Sequence, residues 1–442
     1  MGRNKQQFFK RIQYFRFLII TLALPLFIFG CNDQRQKVVT WTEYKPVYMS
    51  QKELKKAVKM ESPEGLKNPG KIYLYKDYLF INERNKGIHI IDDSNPAKPA
   101  RIGFINIPMN RDIAVKDNLL YADSGRDLLV FDISNIRNPK LVARKKDVFQ
   151  RSSNRPPGFP YEPVDTSKGI VVGWNAVKKH KVCKGDCYGI GPRVGVGGPI
   201  AGGGVAYNNA GSSSEAGANG KSGTGGSTAR FTIEGDHLYA VDDYRLLTFK
   251  ISSQKPVKQN VTNVGWSIET IFPYKNSLFI GSQDAMYIYD ISSPALPTKL
   301  SRVSHTTGCD PVVVKNDFAY VTVRKNKGCP QKFGFNRLEV YDVHDLQNPR
   351  RIAVYEMQDP HGLGIDDSTL FVSEGSKGMK ILDATNPDKI KLLRNITDIN
   401  AKDLIPFHGA LIVTGDKGIY QYDYSNIHKL RLLSTIPVTQ HN

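Results

Sequence analysis

The sequence predicts an all-β fold, a β-propeller of four-stranded antiparallel blades, and three observations point to it. An aspartate closing a hydrophobic run recurs at Asp92, Asp132, Asp290, Asp342, Asp383 and Asp423, with Lys250 in the same slot, at steps of 40, 118, 40, 52, 41 and 40 residues. A period near 40 residues is the mark of a repeat architecture. Within each unit four short runs rich in β-branched and aromatic residues alternate with turn residues, as in "DIAV", "LLYADS", "LLVFDI" and "KLVARKK" from 112 onward. No helical periodicity separates them. A sheet of four short strands repeated in this way buries both faces only by radial packing, which favours a propeller over a solenoid. Seven slots give seven blades; the enlarged step of 118 leaves eight, with one degenerate blade, as the alternative.

Taken in chain order, residues 1–30 differ in kind from all later segments. "MGRNKQQFFKRIQYFR" carries five basic and no acidic residues, and "FLIITLALPLFIFG" is an unbroken apolar run ending at Cys31. A bilayer span needs about twenty apolar residues, so the shorter run is read as a cleaved secretory signal. "IFGC" resembles a lipobox, which makes Cys31 the lipid-attachment residue and places the rest of the chain in water beside a membrane. Residues 31–69 are expected to be a linker or stalk, with "KPVYMS" as an edge strand and "SQKELKKAVKM" as a short helix. The propeller occupies 70–438, with an insertion at about 150–229. In that insertion "EPVDTSKGIVVGWNAVKKHKV" reads as two or three further strands. Residues 189–228, rich in Gly and Ser, have too little apolar surface to order themselves and are expected to be a flexible loop.

Removing residues 1–30 takes five of the 61 basic residues and none of the 42 acidic ones, leaving 56 − 42 = +14. A basic exported chain suits an anionic envelope surface or glycan, or a protein partner. Nucleic acid is excluded as a partner because no basic-aromatic motif is present. With Cys31 set aside, Cys183, Cys187, Cys309 and Cys329 remain, and two sequence-local disulfides are expected, Cys183–Cys187 and Cys309–Cys329. Neither spacing matches a zinc motif.

The phrases "IHIID", "LLVFD", "MYIYD", "LEVYD" and "MKILD", with "EYKPVYMS", "LKNPGKIY" and "GFINIP", resemble the LVIVD-repeat lipoproteins of Bacteroidetes-type bacteria. The resemblance implies a lipid-anchored propeller without an established enzymatic activity. "CNDQRQK" lacks an aspartate directly after the cysteine, so an outer-membrane lipoprotein is expected, periplasmic or surface-exposed, and monomeric. The repeated aspartate, followed by Ser, Thr or Asn and then Pro, is expected to pin an Asx-type turn. One carboxylate per blade does not make a calcium site.

In a propeller the innermost strands line a central channel, and their N-terminal ends open on one face together with the loops between second and third strands. Residues at those starts are Arg111, Asp112, Arg230, Glu269, Asp310, His361 and Asp403. Convergence of such groups makes the channel mouth the candidate binding site. No Gly-x-Ser-x-Gly, HExxH or phosphate loop occurs, so no catalytic residue, metal ligand or cofactor is assigned. The expected function is a non-enzymatic binding or scaffold protein. The alternative is an envelope hydrolase or lyase centred on the mouth, with His361 beside Asp310 and Glu269.

Overall fold

A computed structural model describes residues 36–150, 160–184, 222–227, 229–304, 311–325 and 335–439. The signal segment, Cys31, Cys187, Cys309, Asp310, Cys329, the Cys183 side chain and residues 189–221 lie outside the described residues. The chain divides into two units, one of residues up to 45, 158–162 and 175–199, the other of the remainder.

In the smaller unit the ends of two long strands, Gln36–Met49 and Ile170–Lys184, belong to a two-stranded sheet. Tyr44 pairs with Tyr161 in a parallel bridge, reinforced by amide bonds of 2.9 Å from Tyr44 to Pro160 O and from Glu162 to Tyr44 O. The expected two or three insertion strands are therefore one strand of 15 residues, whose partner lies far away in sequence. That removes the eight-bladed alternative, since this strand joins no four-stranded sheet.

The larger unit is a seven-bladed propeller. Its innermost strands are Pro69–Tyr75, Ile113–Lys116, Phe231–Glu234, Ile268–Tyr274, Val312–Lys315, Leu363–Asp366 and Ala401–Phe407, which begin blades 1 to 7. Each packs beside the next around the ring, and the last beside the first. In blade 2 the remaining strands are Leu119–Ser124, Asp127–Asp132 and Lys140–Lys145. The two central strands are buried on both faces while the outermost, in blade 2, is exposed or half-buried throughout, the pattern expected when each sheet is sandwiched between neighbours.

First and second strands meet in two-residue hairpins. In blade 2 Asp117 and Asn118 have φ of 49° and 60°, and in blade 5 Asn316 and Asp317 have 50° and 59°. Those values belong to type I′ turns, which Asn and Asp tolerate and which match strand twist. Third and fourth strands are joined by the repeated aspartate. Asp92, Asp132, Asp290, Asp342, Asp383 and Asp423 each accept an amide bond of 2.9–3.1 Å from the residue two positions on. Side-chain hydrogen bonds from that same residue, followed by these amide bonds, hold the carboxyls low, and with Arg350 and Arg431 added Asp342 and Asp423 lie at about 2. The turn is thus structural, as the composition of the repeat implies.

A further regularity was not foreseen. In all seven blades the third and fourth strands slip by one residue between the positions one and two before the aspartate slot, for example at Leu141/Ala143 in blade 2 and Ile352 in blade 5. This bulge bends the outer strand and raises its twist, as the rim of a radial sheet requires.

Residues 46–69 cluster with the larger unit. Gln51–Ala57 is the expected helix, opened by a capping box in which Ser50 and Glu53 exchange hydrogen bonds. Lys59–Glu61 then pairs with the outer strand Ala100–Asn106 of blade 1, so the propeller unit takes in residues from 46 onward. The ring closes without exchanging a strand between the termini. Leu66 bridges Val438 in parallel, Thr439 N donates to Leu66 O at 2.7 Å, and Ile72, Leu74 and Ile81 pack with Ile405, Ile412 and Ile436.

At this seam Asp93 is buried, and burial raises its carboxyl to about 6 although Gln421 Nε2 donates to it at 2.6 Å. A carboxyl raised on folding keeps its proton in the folded state while the unfolded chain loses it. Wild-type stability should therefore fall as pH rises from about 4 to 6. Asp93→Asn keeps the acceptor and removes the charge, and is expected to stabilise by about 1–2 kcal/mol at pH 7.5 but not at pH 4. Thermal unfolding at both pH values measures this; an equal gain at both would show that ionisation is not the cause.

Candidate functional site

The central channel holds a segment of the chain itself. Residues 222–227, the end of the glycine-rich insertion, run through it. Ser222 bridges Lys116 at the far end of the blade 2 inner strand, Thr224 and Gly225 pair antiparallel with Leu74 and Tyr73 of blade 1, and Gly226 N donates to Ile72 O at 3.0 Å. At the mouth Ser227 Oγ accepts from Leu363 N at 3.3 Å. This corrects the expectation of a flexible loop over 189–228 for its last residues. Blade 2 ends at the mouth, where Gln150 N donates to Asp242 at 3.1 Å, whereas Ser222 lies level with Lys116 at the other end of the inner strand.

Glycine here serves fit rather than freedom. A Cβ on Gly223 would lie 2.4 Å from the Tyr73 ring, and one on Gly226 would lie 2.3 Å from Asp403 Oδ2. Only a backbone without side chains passes so close.

The residues expected at the mouth fall into separate groups. Arg111, Asp112 and Arg230 share one cluster on blades 2 and 3. Asp112, 3% exposed, accepts from Lys71 Nζ at 2.7 Å, from Ile113 N at 2.7 Å and from Arg230 N. Asp123 Oδ1 accepts from the amides of Arg111 at 2.7 Å and Asp112 at 2.9 Å, and Arg230 Nη2 pairs with Asp243 at 3.1 Å. Burial pushes Lys71 down, against the pull of Asp112, and pushes Asp123 up. The cavity left among these groups, about 30 Å³, holds no more than a water. It is a closed ion-pair network that locks inner strands together.

Glu269 stands apart on blade 4, where Gln283 Nε2 donates to it at 3.0 Å. Asp403 accepts from Leu404 N at 2.7 Å and lies against the threaded segment at Gly226. Among the described residues the carboxylate beside His361 is Asp359, at 3.2 Å, with Arg324 at 3.5 Å. Burial works to raise the Asp359 carboxyl, but the His361 bond and the charges of His361, Arg324 and Lys402 hold it below its ordinary value.

His361 opens onto the larger cavity of the mouth, about 400 Å³, lined also by Lys67, Asn68, Arg84, Lys402, Thr414 and Asp416. These residues come from blades 1, 6 and 7 and from the preceding segment. A search confined to the starts of first strands misses Arg84 and Asp416, which sit in the loops after second strands. "NERNKG" and "TGDKG" carried that signal, since both loops open on the same face. Among the described residues no three His, Cys, Asp or Glu side chains converge as metal ligands would.

With this geometry in place, residues 69–106 and 109–146 match the family described as "LVIVD repeat". The chain carries two matched LVIVD repeats. They coincide with blades 1 and 2, so one LVIVD repeat here is one blade, inner strand to outer. No curated protein matches the chain. Solved structures similar to it include the computationally designed Ika8 protein, at 9% identity and TM-score 0.48 over 86% of this chain and 90% of that one. BamB from Moraxella catarrhalis is 7% identical at TM-score 0.47, covering 80% and 82%. Sqt1 from Saccharomyces cerevisiae is 7% identical at TM-score 0.47, covering 90% and 87%. Values this low leave function untouched.

Proposed function

We propose that this chain is a lipid-anchored envelope propeller that binds a protein, glycan or other envelope partner through its mouth face, without catalysis. The observation that carries the reading is the combination of a channel occupied by the chain's own strand with a cavity of about 400 Å³ on the rim, lined by Lys67, Arg84 and Lys402. An occupied axis moves recognition to the rim, where loops from several blades can vary without disturbing the sheets. The chain's +14 charge after residue 30 favours an anionic partner. In this reading Cys31 carries the lipid, the chain is an outer-membrane lipoprotein acting as a monomer, and the Cys183–Cys187 and Cys309–Cys329 bridges brace loops.

A second reading has a specific observation in its favour: the His361–Asp359 pair, 3.2 Å apart and opening on that cavity, is an acid-base pair a hydrolase or lyase would use. Capture of envelope proteins and glycans by the purified full-length chain, measured beside turnover of ester and glycoside substrates, separates the two. Capture without turnover is expected for wild type. Turnover that His361→Ala abolishes would replace the binding reading with the enzymatic one.

A further inference from the structure

We propose that the two-stranded ribbon of the smaller unit is a docking surface for anionic phospholipid headgroups. This deepens the binding reading above by naming the membrane surface as a partner of the folded chain, and its argument from nearness rests on Cys31 as the lipid-attachment residue. Lys179 Nζ reaches Glu43 at 3.7 Å, and a Cβ on Gly169 would lie 2.5 Å from Met49 O. Residue numbers thus rise along one strand as they fall along the other, so Val38 and Val182 come at the same end of the ribbon. That end is the one next to Cys31. Residues 32–35 alone separate Cys31 from Gln36, and a chain of that length reaches at most about 18 Å.

The two faces of the ribbon differ. Successive side chains of a strand point to opposite faces, and exposure alternates with them. Val38, Thr40, Lys178 and His180 are exposed, while Val39, Trp41, Val177 and Lys179 between them are half-buried. Val182, in step with Lys178 and His180, is exposed again, at 49%, and Val38 is 57% exposed. Glu43, which meets Lys179, is in step with Trp41 and so belongs to the half-buried face. It is the one acidic residue of either strand, so the open face carries valine, lysine and histidine without a carboxylate.

Charge points to the same partner. The described residues of the smaller unit hold six lysines and two glutamates, 6 − 2 = +4. Both glutamates are engaged, Glu43 with Lys179 and Glu162 with Lys45 at 3.4 Å. Lys178 and Lys181 are exposed, and among the described residues neither meets a carboxylate. Unpaired lysines beside uncovered valines match a phospholipid surface, where phosphates lie just above glycerol and acyl carbons. For a soluble anion the valines would add nothing. An acylated Cys31 holds the face within about two Debye lengths of the headgroups at physiological salt, close enough for the attraction to act.

Co-sedimentation of the chain from residue 32 onward, which keeps every described residue and lacks the lipid, tests the surface. Vesicles of phosphatidylglycerol with phosphatidylcholine are compared with phosphatidylcholine alone. Wild type is expected to bind the anionic vesicles about tenfold or more tightly, with an affinity that falls as salt is raised. Lys178→Gln with Lys181→Gln is expected to weaken that binding about tenfold, and Val38→Ser with Val182→Ser several-fold. All four side chains are exposed, so melting temperatures should not change. The control Lys258→Gln with Lys299→Gln removes the same charge from the exposed outer strands of blades 3 and 4 and is expected to leave binding unaltered. Equal binding to both vesicle types overturns the proposal. So does an equal loss in the control pair, because the attraction would then belong to the net charge of the whole chain. The anchor is tested separately, by retention of the membrane-extracted full-length chain on phosphatidylcholine vesicles. Retention there without ribbon binding keeps the Cys31 reading and removes the ribbon; ribbon binding without retention keeps the ribbon and removes the Cys31 reading.

Discussion

Replacing Asp112 with alanine is expected to destabilise the propeller by about 3–5 kcal/mol, the cost of leaving a buried charge without its partner. The Lys71 side chain is 10% exposed and places its ammonium 2.7 Å from Asp112 Oδ2. The same carboxylate receives the backbone amides of Ile113 and Arg230, so it ties blade 1 to blade 2 and blade 2 to blade 3. Urea unfolding measures the loss. Adding Lys71→Met to Asp112→Ala is expected to recover about half of it, because an apolar chain of similar length no longer needs a counter-charge. A loss below about 1 kcal/mol for Asp112→Ala would mean that water replaces the carboxylate and that the network is not a lock.

Gly378→Ala is expected to cost about 3 kcal/mol or more, since backbone rather than a side chain stands in the way. Gly378 has a φ of 96°, and a Cβ there would lie 1.7 Å from Ile396 O on the paired outer strand of blade 6. The amide of Gly378 also bonds Gly375 O at 3.0 Å, so the strand cannot simply swing aside. Gly235→Ala is the matched control: its φ is 53° but the space around it is open, and the expected cost is about 1 kcal/mol. Denaturant midpoints of the two variants decide the matter; equal costs would show that left-handed backbone, not the close carbonyl, is what Gly378 supplies.

Much of the fold was legible because the repeat repeats its chemistry. The aspartate slot, the Asp-Asn hairpins and the four-run grammar each report a local backbone requirement, and local requirements survive in a single sequence. The bulge leaves a fainter trace. Its extra residue is Ile102, Val142, Leu300, Ile352, Leu393 or Leu433, half-buried and apolar in every blade except blade 3, where Gln259 is exposed and Lys250 replaces the aspartate. Pairing between distant segments leaves no such trace. "GIVVGWNAVKKHKV" was recognisable as strand, but nothing in it names Gln36–Met49 as its partner.

The site was half legible for the same reason. Asp112 and His361 sit at strand starts that the repeat locates, whereas Lys71 lies inside a strand and Thr414 near the end of another, where burial and not spacing makes them matter. The glycines misled. Composition counts glycine as freedom, yet at 223 and 226 it marks places where Tyr73 and Asp403 leave no room for a Cβ.

The strand threaded through the channel has a kinetic consequence. It is covalently continuous with the inner strand of blade 3, only a few residues beyond Ser227. A tethered segment competes at an effective concentration on the order of millimolar. Any peptide or polymer seeking the axis must displace that occupant, which is present at every instant and cannot diffuse away. Rim ligands face no such rival, so a weak, rapidly exchanging molecule can be retained there while the core of the ring stays reserved for the chain that built it.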